Sequence, residues 1–282
     1  MTFIRSFGNR IHDELVLLAP EHSFIPETFH RLESGPRTHA RWLGELQRMR
    51  GRIYLADGAV KASQLTSDGR HLQVADTDSW HLLSVDRNGE VQGCARYRHL
   101  IGNIGFDDLG VRESWLARCD EWGASLRRAV ESEIGLARRR GAAFSEVGGW
   151  AIVPEKRRTV EALRIAMATY SLAQTLGGCV GISTATERHH SSSILRRIGG
   201  RSLCYGGAEL PAYYDPQYQC RMEVLRFDSS LPDSSFKQWV EMLSEQLSGV
   251  TVIATGAPVD CHPVQPRIPA IWPPLPQLGW IT

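Results

Sequence analysis

Residues 145–158 read SEVGGWAIVPEKRR: a β-rich apolar run with one acid, Glu146, a break at Pro154, then three consecutive cations, Lys156, Arg157 and Arg158. The run predicts a strand over about 144–153. The segment after the turn predicts a helix over about 158–176, because Val160, Leu163, Met167, Tyr170 and Ala173 recur at helical steps and Gly177-Gly178 stop it. CVGISTAT (179–186) predicts another strand. Cations at a helix N-terminus are opposed by the helix dipole, so the basic turn asks for an anion nearby.

The flanking segments extend the pattern. Residues 1–35 read as irregular, and 39–54 as a helix with Trp42, Leu46 and Met49 on one face. In WHLLSVDRNGEVQGCARYR (80–98), Asn88-Gly89 accepts positive φ, so 80–85 and 90–98 predict an antiparallel hairpin. Residues 112–140 predict one helix whose basic end, Arg138 to Arg140 before Gly141, suits the dipole. A short helix (190–200), strands at RSLCY and about 217–227, and a helix over 234–249 follow. The proline-rich stretch 256–282 predicts extended chain. The expected organisation is an N-terminal extension (1–38), a central domain (39–228), and a C-terminal helix with its tail (229–282).

The chain has 282 residues, 42% hydrophobic and 22% charged, and a formal net charge of +1. That composition suits a globular core and gives no electrostatic reason to expect nucleic acid. No apolar run reaches the roughly 18 residues of a membrane span, and the first residues lack a secretory signal's shape. Six dispersed cysteines form no CxxC pair, which predicts reduced thiols and a cytoplasmic setting rather than disulfides or zinc. His189-His190 has no third ligand pattern, and adjacent strand residues face apart, so no metal is expected. GxSxG and GxGxxG are absent, so neither a hydrolase elbow nor a dinucleotide fingerprint is present.

The order helix, hairpin, helix, strand, basic turn, helix, strand, short helix, two strands resembles the acyl-CoA N-acyltransferase (GNAT) fold across about 40–227. EVGGWAIVPEKRRTVEAL and CVGISTATERHHSSSILRRIGG carry the likeness. It implies an α/β (α+β) fold, a mixed central sheet flanked by helices. A narrower resemblance is to the N-acyl amino acid synthases and acyl-homoserine-lactone autoinducer synthases. It rests on Arg50 with Tyr54, Asp76 or Asp78 before the hairpin, Arg96 after Gly93, and Glu146 with Val153. Three departures stand out. RRTVEA lacks the glycines of the usual phosphate loop, Gly149 replaces the arginine expected after Glu146, and Leu195 stands where many acetyltransferases place a tyrosine.

The resemblance implies acyl transfer from a coenzyme A or phosphopantetheine thioester to a small amine such as an amino acid, with no permanently bound cofactor. The missing glycines favour acyl carrier protein as donor. Glu146 is the expected base, its pKa raised by an apolar strand. Amides around Ile152 and Val153 are expected to polarise the thioester oxygen, at about 3–4 kcal/mol per donor. Lys156, Arg157, Arg158 and Thr159 would contact phosphate. Arg50, Tyr54, Asp76, Asp78, Trp80 and Trp150 are the expected substrate residues, the two tryptophans beside an acyl channel. Arg96 is expected to bind a carboxylate or to order Asp76 or Asp78. Two alternatives remain at this point: an acetyl-CoA-dependent N-acetyltransferase, and a catalytically inactive binding domain.

Overall fold

The computed structural model describes residues 13–21, 23–157 and 159–256. The elements are β1 (Glu14–Leu18), β2 (Arg31–Ser34), α1 (Pro36–Ala56), β3 (Trp80–Val85), β4 (Val91–Leu100), α2 (Trp115–Arg118), α3 (Gly123–Arg139), β5 (Ala143–Ile152), α4 (Val160–Thr175), β6 (Cys179–Thr186), α5 (Ser191–Arg197), β7 (Arg201–Ser202), β8 (Cys204–Tyr205), β9 (Ala208–Glu209), β10 (Tyr213–Asp215), β11 (Cys220–Asp228), α6 (Lys237–Ser248) and β12 (Thr251–Ala254).

One mixed sheet runs β10-β11-β6-β5-β4-β3-β1-β12-β2, with β7 also on β11. The hairpin β3–β4 forms where Asn88-Gly89 turns the chain, with Gly89 at φ +80. β5 and β6 are parallel and joined through α4. Helices α4 and α6 pack on one face, over Leu15, Leu82, Ala95, Tyr97 and Leu225. On the other face α1 covers Leu83, Cys94 and Ala151, while α3 covers Phe144, Ile182 and Val224. The strip between α1 and α3 is where the charged side chains of β4 and β5 emerge.

Residues 1–35 are not all irregular, since β1 and β2 lie there. Strands from 1–38, 39–228 and 229–256 share one sheet. β1 pairs with β3, β12 lies beside β1 and β2, and α6 packs against α4. ELVLL and TVIA are short apolar runs without alternation, the pattern of strands with both faces covered, which periodicity does not mark. The single helix expected over 112–140 is two. Ser114 caps α2 through its hydroxyl, and the chain then turns so tightly that a Cβ on Gly123 would lie 2.5 Å from the Ala117 carbonyl oxygen. The stretch 257–282, with Trp272 and Trp280, lies outside the described residues, as do residues 1–12.

Candidate active site

β5 and β6 pair from Ala143/Cys179 to Val147/Ser183 and then separate, although β5 continues to Ile152 and β6 to Thr186. At the same level β5 is irregular against β4: Arg96 pairs with Gly148 and Cys94 with Ala151, so Gly149 and Trp150 together face Ala95. This is a β-bulge, in which two residues oppose one. Gly149 adopts φ +59, a left-handed conformation that glycine takes without strain. The extra residue resets the alternation of β5. Glu146 and Gly148 face the α1/α3 side, whereas Trp150 turns to the α4 side and packs on that core.

A cavity of about 450 Å³ follows the separation and reaches both faces of the sheet, a size common for small-molecule sites. On the α4 side its wall is apolar: Ala162, Ala166, Ala173, Trp150, Leu195 and Ile198. The Trp150 indole N–H has no hydrogen-bond partner among the described residues. On the other side the wall is polar, with Arg96, Glu146, Gln73, Tyr54, Asp215 and Tyr218.

The polar wall rests on a buried ion cluster. Arg50 is fully buried and donates to Asp76 through Nη1 (3.0 Å) and Nη2 (2.6 Å), and to the His71 carbonyl (2.5 Å). Gln47 Nε2 and the Gln73 N–H also donate to Asp76. Burial pushes the Asp76 carboxyl up, but Arg50 outweighs it and holds the group below the ordinary carboxylate value. Arg96 donates to Gln73 Oε1 (2.6 Å) and lies 3.9 Å from the same Asp76 carboxylate. Burial lowers the pKa of its guanidinium, with Asp76 and Glu146 pulling the other way. Two buried guanidinium groups therefore share Asp76, and Arg96 stands in the cavity wall with charge to spare. Gly148, its neighbour on β5, leaves room for it: a Cβ there would lie 3.4 Å from Arg96 Nη2.

Glu146 is 7% exposed and lines the cavity, but it is not a bare acid in an apolar strand. Its carboxylate accepts from Val111 N–H (2.8 Å), Gly110 N–H (2.9 Å) and Arg98 Nη1 (3.1 Å). The ion pair and amides tie loop 110–111 to β5. Around the cavity mouth, Asp57 at the end of α1 accepts two bonds from Arg157 (2.8 and 3.2 Å), and His189 Nε2 lies 3.1 Å away. Arg188 donates to the carbonyls of Asp57 and Tyr218.

The structure brings Arg50, Arg96, Asp76, Glu146, Tyr54 and Trp150 to one region, and Ile152 lines the cavity as well. It separates others from it. Asp78 is exposed, its carboxylate accepting from the Thr77 hydroxyl. Trp80 is core, tilted against Phe29 at 5.7 Å, and does not line the cavity. The Val153 N–H is spent on the Gln92 carbonyl (2.9 Å), since this end of β5 is still laddered to β4. The anion sought by the basic turn is supplied by the chain: Lys156 pairs with Asp13 (3.0 Å) and Arg157 with Asp57. Thr159 caps α4, its hydroxyl accepting from the Glu161 N–H. Arg158 lies outside the described residues. Asp57, Asp215 and Tyr218 were missed because they come from distant segments that carry no local motif, and His189 was weighed only as a metal ligand.

No protein-family model matches the sequence. No curated protein matches it either. Solved structures do. The chain is similar to BjaI, a CoA-dependent acyl-homoserine lactone synthase, with SAM and isopentyl-CoA: TM-score 0.53, 14% identity, 88% of this chain and 96% of that one. It is similar to MesI, another CoA-dependent acyl-homoserine lactone synthase, at TM-score 0.50 and 13% identity, over 85% and 98%. The chain therefore shares its fold, a mixed sheet flanked by helices, with these acyl-homoserine lactone synthases.

Proposed function

We propose that the protein is an N-acyltransferase that moves a medium or long acyl group from a carrier thioester to the amine of a small acceptor bearing an acid group. The observation that carries this reading is the cavity passing through the parting of β5 and β6, apolar on its α4 side and charged on the other. The thioester arm lies in the parting, its acyl tail against Ala162, Ala166 and Ala173. An acetyl donor would leave that apolar half empty, which favours a longer chain. The acceptor's acid group meets Arg96, whose charge Asp76 does not fully compensate.

The amine nitrogen attacks the thioester carbonyl carbon, the C–S bond breaks, and the departing thiolate takes up a proton. Glu146 offers about four acceptor sites as a carboxylate and uses three, so it receives the amine's proton from a fixed position, directly or through water. The amides of the bulge at Gly149–Trp150 take the oxyanion role in place of Val153, because a bulge frees its extra residue from the ladder. The donor is presented on acyl carrier protein. The cations at the start of α4 are already paired and its first turn already capped, leaving little to hold a nucleotide diphosphate.

Purified protein given a decanoyl thioester, on coenzyme A or on acyl carrier protein, and an amino-acid mixture is expected to release thiol only when acceptor is present. Mass spectrometry should detect N-decanoyl products, made faster from the carrier-protein donor. Thiol release without acceptor dependence, or no amide from either donor, contradicts the reading.

A further inference from the structure

Among the cavity's ionisable groups, Asp215 differs in kind. It closes the edge strand β10 and is 6% exposed, yet no described cation pairs with it. Its Oδ1 accepts from the backbone N–H groups of Gln217 (2.9 Å) and Tyr218 (3.2 Å). Those bonds fix the β10–β11 turn and engage one oxygen only. Asp57 and Glu146, by contrast, each hold an arginine. A buried carboxylate is costly unless something positive meets it. Arg96, which carries the spare positive charge of the polar wall, lines the same cavity. Tyr218 reports both, since burial pushes its hydroxyl pKa up, Asp215 pushes it further, and Arg96 and Arg50 oppose. The cavity thus presents an unpaired anion and an under-compensated cation on the same side of the sheet.

We propose that Asp215 seats the acceptor's amine in its protonated, ammonium form while Arg96 holds the acid group, so that the site selects zwitterions. The assignment rests on the acyltransfer reading above and adds to it a positioning residue from an element with no sequence motif. Asp215 sets which molecule is bound and in which protonation state; the ammonium gives one proton to Glu146, directly or through water, before its nitrogen attacks, and the second proton, lost from that nitrogen as the C–S bond breaks, goes to the departing thiolate.

Binding is measured by calorimetry without any thioester, using amine and alcohol pairs that share a carboxylate: alanine and lactate, leucine and 2-hydroxy-4-methylpentanoate, phenylalanine and phenyllactate. Wild type is expected to bind at least one amino acid about tenfold more tightly than its hydroxy acid, since a buried charged pair outweighs a neutral hydrogen bond. D215N keeps an oxygen for the Gln217 and Tyr218 amides, so the turn persists while the preference disappears and the hydroxy-acid affinity stays. D215E restores part of the preference. No ammonium preference in wild type, or a preference that survives D215N, overturns the proposal, as does equal weakening of both probes. Acyl transfer measured in parallel separates the two readings. Wild type that discriminates yet makes no amide counts against the transferase reading alone. An active wild type whose acceptor KM is unchanged in D215N counts against Asp215 alone.

Discussion

Arg50, Arg96 and Asp76 show how one carboxylate can anchor a polar wall. D76N takes the shared carboxylate from two buried guanidinium groups, and removing one partner of a buried pair typically costs about 3–5 kcal/mol. Urea unfolding should show a loss of that size, and a loss under about 1 kcal/mol would refute the cluster's structural role. His81 adds a pH dependence. Its Nε2 lies 2.7 Å from the Asp76 carbonyl, so the neutral ring donates there. Burial lowers its pKa from 6.5 to about 4, and burial likewise lowers that of His71 to about 4. Above pH 7 both rings are neutral whether folded or not, and stability is flat. As pH falls from about 6.5 toward 4, only the unfolded chain takes up the protons, so stability drops, by up to about 3 kcal/mol per ring. H81Q should flatten this slope in urea titrations at pH 7.5 and 5.0. An unchanged slope would assign the acid sensitivity elsewhere. Arg50, Tyr54, Arg96 and Glu146 could be singled out in the sequence because each sits in a short motif, and the structure gathers them in one region. Asp57 was not singled out, because its partner Arg157 lies 100 residues away, and Asp215 was not, because only the fold brings it to the cavity that Arg96 also lines.

The bulge in β5 is the element on which the site's geometry turns. Gly149 needs its φ of +59, and a Cβ there would lie 3.2 Å from Arg96 Cβ and 3.4 Å from Arg50 Nη1. This accounts for the missing arginine of the resembled synthases at 149: a side chain there is strained at this φ and tight against Arg96 and Arg50. G149A is expected to lose about 1–2 kcal/mol from left-handed strain and to lower acyl transfer at least tenfold in protein that is still folded at the assay temperature. Full activity in G149A would remove the bulge from the mechanism. The hairpin, β5, α4 and β6 were readable because local signals delimit them: Asn-Gly, Pro154 and Gly177-Gly178. β1 and β12 were not, because Val16 pairs with Thr251 across most of the chain and neither run carries a turn signal.

At the scale of the molecule, the flank β1-β12-β2 of the sheet is built from opposite ends of the described chain. Ending the chain after Asp228 removes β12 from between β1 and β2, and with it the buried Val240, Leu243, Leu247 and Val252. That truncation is expected to abolish cooperative unfolding; a truncated protein melting like wild type would restore the division of the chain at 228. In the proposed function a thioester arm occupies the gap between 148–152 and 183–186. A crystal structure with a non-hydrolysable decyl-pantetheine thioether tests it most directly. The result expected is density for the pantetheine along the bulge, with the decyl chain against Ala162, Ala166 and Ala173. Density outside that gap, or β5 and β6 closed together around an empty one, would contradict it.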